Sequence, residues 1–135
     1  IFRRILIVTN QQGVGKGLMT QEDLDFIHDE MLKEIRKHDG RVHAIYVASE
    51  LVKDDLKLMR KPGTGMAKKA KKDFPEINFA KSIVVGVSAT AQQFGKASGM
   101  ITVFIGDPMK LMPHDRALVD IHCDSLQEFA SQLNH

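Results

Sequence analysis

The chain has 135 residues, 43% of them hydrophobic, and a formal net charge of +2. This length predicts one small domain over residues 1–135 with a single core, and so weak a charge argues against a nucleic-acid partner. The only cysteine, Cys123, excludes an internal disulfide and fits a reducing cytoplasm, where we expect the protein to be located. No apolar run is long enough to span a membrane, so we expect no membrane partner.

Strands and helices are predicted to alternate along the chain. In order, the pattern predicts a strand over Ile5–Val8, a helix from Thr20 to about His38, a strand over Val42–Val47, a short helix over Met66–Lys72, a strand over Ser82–Gly86, a helix over Ala89–Ser98, a strand over Ile101–Ile105, a fifth strand over Ala117–Ile121 and a last helix over Leu126–Leu133. Such alternation is typical of an α/β sandwich, in which helices flank one mainly parallel sheet.

Two helix starts carry capping signals, and one of them also predicts a buried face. Thr20 precedes Asp23 by three residues, and Ser125 stands in the same relation to Glu128. In the last helix, Leu126, Phe129 and Leu133 are predicted to form the apolar side. The lysine-rich stretch Lys68–Lys72 contains no aromatic residues, so it is interpreted as a solvated helix face and not as a nucleic-acid patch.

The first predicted strand ends in polar residues and a glycine-rich loop. Its apolar run is followed by Thr9, Asn10 and a loop that contains Gly13, Gly15 and Gly17. Ligands of parallel sheets bind beyond the carboxyl ends of the strands, and glycines let backbone N–H groups approach an anion. The segment therefore predicts a phosphate-sized anion site. It is neither a P-loop nor a dinucleotide fingerprint, because both patterns fail at diagnostic positions.

Three motifs in sequence order resemble the haloacid-dehalogenase (HAD) phosphatase superfamily. Val8–Gly17 is similar to the second motif of its heptose-bisphosphate and histidinol-phosphate phosphatase branch. Arg60-Lys61-Pro62, followed by Gly65-Met66, resembles the third motif, and Val85–Gly95 lies where the fourth belongs. The resemblance spans roughly residues 5 to 106 and implies a three-layer sandwich with a Rossmann-like, HAD-type sheet.

The chain departs from that family at the acids that its chemistry needs. The fourth motif of the family reads Gly-Asp-Ser-x-x-Asp and holds magnesium, but Val87 and Ala91 stand at the two acidic positions. The first motif, Asp-x-Asp on the central strand of the family's sheet, has no counterpart near the start of this chain. We therefore expect the natural protein to be longer at its amino end, or else to have a rearranged sheet centre.

The resemblance implies a phosphate and substrate pocket but no complete catalytic set. The residues that it assigns to the pocket are Thr9, Asn10, Gln11, Arg60, Lys61 and Ser88. Thr9, Asn10, Lys61 and the Gly86–Ser88 turn are expected to meet at the carboxyl edge of the sheet. Magnesium is the cofactor of the resembling family, and its binding here is doubtful because Val87 offers no oxygen. Zinc is not expected, since Ala48–Met59 contains no cysteine.

Three functions remain open on the sequence alone. The first is a HAD-type phosphatase of small sugar or histidinol phosphates, incomplete or inactivated in this chain. The second is a non-catalytic module that keeps a phosphate pocket and regulates by binding. The third is an accessory domain of a larger, bifunctional sugar-nucleotide enzyme. The expected partner of the chain is a small phosphorylated metabolite.

Overall fold

The computed structural model describes residues 4–10, 17, 20–37, 40–48 and 61–133. The chain divides into two compact units, Ile1–Arg60 and Lys61–His135, called here the amino-terminal and the carboxyl-terminal unit. In the first unit the elements are β1 Leu6–Asn10, α1 Gln21–Lys37 and β2 Ala44–Ala48. In the second they are α2 Gly65–Asp73, β3 Ile83–Gly86, α3 Ala89–Ala97, β4 Ile101–Ile105, α4 Pro113–Arg116, β5 Ile121–Cys123 and α5 Leu126–Gln132. The single domain over residues 1–135 stays a prediction.

The amino-terminal unit contains a parallel pair of strands, β1 and β2, in which Thr9 lies opposite Val47. The helix α1 begins as predicted: the Asp23 amide donates to Thr20 Oγ1 at 3.0 Å, and the Thr20 amide donates to Asp23 Oδ2 at 3.1 Å. Leu24, only 1% exposed, anchors this helix in the core. These local interactions fix where the chain enters the helix between the two strands.

The end of α1 requires a glycine. The Gly40 amide donates to the Ile35 carbonyl oxygen at 2.8 Å, which satisfies one of the carbonyl groups left open at a helix end. A Cβ atom at Gly40 would lie 2.6 Å from Ile35 Cγ2, so a larger residue would force the turn open. The predicted stop of the helix at Gly40 is confirmed.

The carboxyl-terminal unit has three layers. Its parallel sheet has the order β3–β4–β5. On one face α3 packs so closely that a Cβ at Gly95 would lie 2.2 Å from Val84 Cγ1. On the other face Val103 and Cys123 form a core cluster with Phe129 of α5. Because successive side chains of a strand point to opposite faces, the sheet is covered on both sides, which confirms the predicted α/β sandwich.

A polar network joins α3, β4 and the segment before β5. The Thr102 amide donates to Asp120 Oδ2 at 2.9 Å, and the Asp120 amide donates back to Thr102 Oγ1 at 3.1 Å. Lys96 of α3 forms an ion pair with the same carboxylate. Lys96, followed by the Thr102 amide, lowers the pKa of the Asp120 carboxyl. Thr102 itself is fully buried, so its hydroxyl needs these partners.

Three details differ from the sequence prediction. The strands form two parallel sheets among the described residues, β1–β2 and β3–β4–β5, whereas one sheet was predicted. The prediction of a fifth strand over Ala117–Ile121 is wrong. Ala117 lies at the end of α4, where its amide donates to the Pro113 carbonyl oxygen at 3.2 Å, and the strand begins only at Ile121. Leu126 is 62% exposed, so it does not belong to the buried side of the last helix, which Phe129 occupies.

Candidate functional site

Thr9 and Asn10 form the carboxyl end of β1 in the amino-terminal unit. Both side chains are partly buried, and Asn10 lies opposite Ala48, which is only 3% exposed. The strand extends two residues beyond the predicted Val8, so the backbone of Thr9 and Asn10 belongs to the parallel strand pair and not to the loop that follows. Gly17, with φ 73°, lies in the left-handed region that favours glycine. This end of the strand presents polar groups on a rigid support.

Lys61 opens the carboxyl-terminal unit and is partly buried. Burial lowers the pKa of its ammonium group, because desolvation disfavours the charged form. The Gly-Met pair of the predicted motif follows shortly after Lys61. Gly65 begins α2, and Met66 is fully buried in the core. A partly desolvated cation of this kind interacts more strongly with an anion than an exposed lysine does.

Ser88 caps α3 at the carboxyl end of β3. Its Oγ accepts a hydrogen bond from the Ala91 amide at 3.3 Å and lies 3.0 Å from Thr90 Oγ1. This turn leads from a parallel strand straight into a nine-residue helix. The amino end of a helix carries partial positive charge, so the turn favours a bound anion. The Ser88 hydroxyl already accepts a hydrogen bond from the first turn of the helix, and its contact with a phosphate stays a prediction.

Val87 and Ala91, the positions of the lost acids, lie in different surroundings. Val87 is 73% exposed, whereas Ala91 is 3% exposed. A Cβ added at Gly86 would lie 2.4 Å from Ala91 Cβ, so the strand end and the helix pack in direct contact here. Both side chains are hydrocarbon. Among the residues that the structure describes, no group of three His, Cys, Asp or Glu side chains could hold a metal ion. Neither side chain therefore supplies an oxygen ligand of the kind that magnesium prefers.

The predicted pocket residues are divided between the two units. Thr9 and Asn10 belong to the amino-terminal unit, while Lys61 and Ser88 belong to the carboxyl-terminal one. Gln11 and Arg60 lie outside the described residues. The meeting of Thr9 and Lys61 around one phosphate stays a prediction. The sequence did not indicate the burial of Lys61 or the contact between Gly86 and Ala91, because both depend on how the chain packs in three dimensions.

No helix in the described part of the chain is long and apolar enough to cross a membrane.

Comparison with known proteins gives a consistent result. The family model described as polynucleotide kinase 3 phosphatase matches residues 3–133. A D-glycero-beta-D-manno-heptose-1,7-bisphosphate 7-phosphatase from Rhodopseudomonas palustris is 30% identical over 102 residues, which cover 71% of this chain and 56% of that protein. A D-glycero-alpha-D-manno-heptose-1,7-bisphosphate 7-phosphatase from Campylobacter jejuni is 32% identical over 101 residues, which cover 75% of this chain and 56% of that protein. The chain thus spans little more than half the length of these relatives.

A solved structure extends the likeness to three dimensions. The D,D-heptose 1.7-bisphosphate phosphatase of B. bronchiseptica, complexed with magnesium and phosphate, superposes with a TM-score of 0.82 at 26% sequence identity. The superposition covers 97% of this chain and 74% of the other. The common fold is therefore that of a HAD-like phosphatase.

Proposed function

Because the chain belongs to the polynucleotide kinase 3 phosphatase family, within the HAD superfamily of phosphatases, we propose that it binds a small phosphorylated sugar. We propose further that this polypeptide alone hydrolyses such an ester poorly or not at all. The sugar class is supported by the relatives, which are named as heptose-bisphosphate phosphatases. Histidinol phosphate is the alternative substrate that the branch suggests.

Binding of the phosphate rests on a small number of positive and polar groups. A phosphate monoester carries between one and two negative charges near neutral pH, since its second pKa is about 6. Lys61 would supply a partly desolvated positive charge, and the capped start of α3 would supply backbone N–H groups. Thr9 and Asn10 would add neutral donors from the end of β1. These groups offset charge in the ground state.

The single observation that carries the loss of turnover is the side chain of Val87. It is a 73% exposed hydrocarbon at the position where the resembling family has a carboxylate. Metal-assisted phosphoryl transfer needs a cation to stabilise charge on the transferred group, and the covalent route also needs a carboxylate nucleophile. Lys61 supplies only a donor, so it replaces neither. Binding should therefore survive where hydrolysis does not.

The first experiment separates binding from turnover. Phosphate release from fructose 1,6-bisphosphate is measured with magnesium present, and binding of inorganic phosphate is measured by calorimetry. We expect release at the background rate but measurable binding, which Lys61→Ala abolishes. Lys68→Ala is the matched control, because Lys68 is an exposed lysine on the adjacent helix α2. Magnesium-dependent release by the unmodified chain, lost in Lys61→Ala, would show that the proposed inactivity is wrong.

A second experiment restores the two acids together. Val87→Asp/Ala91→Asp is expected to bind magnesium more tightly than the unmodified chain, because Asp side chains supply the oxygen ligands that this ion prefers. If the double variant gains magnesium-dependent hydrolysis, the chain is an impaired phosphatase. If it binds phosphate and still releases none, the non-catalytic binding module becomes the better description.

A further inference from the structure

A cavity of about 290 Å³ lies in the amino-terminal unit, between the end of α1 and the start of β2. Its apolar lining comes from Leu32 and Ile35 of the helix and from Val42 of the following segment. Gly40 lines the cavity as well, and it packs directly against the Ile35 side chain. The volume is at the lower limit of ordinary ligand pockets, and it corresponds to about ten non-hydrogen atoms at the volume of liquid water.

Two arginines line the same cavity. Arg36 lies on the helix face of Leu32, four residues earlier, and Arg41 precedes the strand β2. Both residues are exposed, so their guanidinium groups remain hydrated when no ligand is bound. Within the described part of the chain, neither arginine takes part in an ion pair. The cavity lining therefore combines three apolar residues with two arginines.

The cavity is remote from the end of the strands that carries the predicted phosphate groups. It adjoins the residues before β2, at the amino end of the parallel pair, whereas Thr9 and Asn10 stand at the carboxyl end. From Val42 to Ala48, the partner of Asn10, the chain advances six residues, or about 20 Å in an extended strand. One small ligand cannot reach both places. The cavity is accordingly separate from the predicted phosphate site.

We propose that this cavity binds a small organic anion, with its apolar part against Leu32, Ile35 and Val42 and its carboxylate between Arg36 and Arg41. A guanidinium group matches a planar carboxylate through two parallel hydrogen bonds, which gives the contact both direction and strength. The three apolar lining residues favour an organic anion over an inorganic ion, because an inorganic ion would leave their surface in contact with water. The partial negative charge at the end of α1 opposes an anion, and the two full positive charges outweigh it.

The test uses benzoate as the probe, since its ring and carboxylate together fill about the available volume. Binding is followed by amide chemical shifts in a benzoate titration of the full chain, with benzyl alcohol as the neutral comparison. We expect saturable shifts centred on residues 32–42, with a Kd of about 1 mM, and at least tenfold weaker binding of benzyl alcohol. Inorganic phosphate at saturation should leave the benzoate Kd unchanged, because it occupies the other end of the strands.

Variants identify the groups responsible. Arg36→Gln and Arg41→Gln are each expected to weaken benzoate binding about tenfold. Lys37→Gln is the matched control: it removes the same charge from the neighbouring position of α1, outside the cavity lining, and should change the Kd less than twofold. Arg36→Lys keeps the charge and should retain part of the affinity.

The opposite results would overturn the second site. They are equal binding of benzyl alcohol, an unchanged Kd in both Gln variants, shifts centred on Thr9 and Asn10, or no saturable shift. Phosphate binding through Lys61 is measured separately with the Lys61→Ala variant, so the two proposals can fail independently.

Discussion

The close approach of α3 to the sheet allows a sharp prediction about Gly95→Ala. An alanine Cβ at this position would lie 2.2 Å from Val84 Cγ1 and 2.7 Å from Thr102 Cγ2. Carbon atoms in contact prefer about 3.5–4.0 Å, so the helix would have to move by more than about 1 Å. Val84 is 8% exposed and Thr102 is fully buried, and they lie on two paired strands. Neither side chain has room to withdraw.

The magnitude follows from two opposing effects. Alanine favours a helix over glycine by about 1 kcal/mol, which would stabilise the variant if nothing else changed. Overpacking of a tight core costs about 1–3 kcal/mol and more when two neighbours must shift. We therefore expect the free energy of unfolding of Gly95→Ala to fall by about 1–2 kcal/mol. With a urea m-value of about 1–2 kcal/mol/M, the midpoint of unfolding should fall by about 1 M.

Urea unfolding followed by circular dichroism measures this shift, and a second variant isolates its cause. Val84→Ala removes the atom nearest to the new methyl group, so it should cost clearly less in the Gly95→Ala background than in the unmodified chain. A Gly95→Ala variant as stable as the unmodified chain would refute the packing argument.

Three further predictions concern the carboxyl-terminal unit. The Cys123 thiol should react with a disulfide reagent at pH 8 only after unfolding in urea, because it is 2% exposed and burial raises its pKa; rapid reaction of the native protein would contradict this. The pKa of Asp120 is lowered in the folded state, so its ion pair contributes stability above about pH 4 that is lost as the pH falls through the folded pKa. The unfolding free energy of Asp120→Asn should therefore depend less on pH between about pH 3 and 5 than that of the unmodified chain. The difference should stay below about 1 kcal/mol because the Asp120 side chain is 39% exposed, and parallel pH profiles of the two proteins would contradict the prediction. Phe129→Ala should lower the free energy of unfolding by about 3 kcal/mol and Leu126→Ala by less than about 0.5 kcal/mol, as judged by urea titration, and similar losses in both would contradict the observed burial.

Local signals in the sequence predicted most of the element types. The Thr20–Asp23 pair and the Ser125–Glu128 spacing mark helix starts, and both helices begin where these caps place them. The strand predicted over Ala117–Ile121 was wrong because the apolar residues of this segment fit the end of a helix as well as a strand. Pro113, a residue favoured in the first turn of a helix, was the local signal for the short helix before it.

Features that depend on tertiary packing could not be obtained in the same way. Leu126 fits the apolar period of the last helix, yet its side chain lies beyond the edge of the core and is exposed. The Lys-Pro motif likewise gave no sign that Lys61 is partly buried, which lowers the pKa of its ammonium group. The motifs predicted the residues of the phosphate site. They did not predict that Arg36 and Arg41 line one cavity, which only the three-dimensional structure shows.

The network around Thr102 also bears on how this unit opens. The amides of Thr102 and Asp120 are bonded to each other's side chains, and Lys96 ties the same carboxylate to α3. Separating any one of these segments exposes polar groups in the others, so helix, strand and loop should unfold locally as one cooperative unit. In native-state hydrogen exchange the two amides would then share a single opening free energy, although the Asp120 amide lies outside the strands of the sheet.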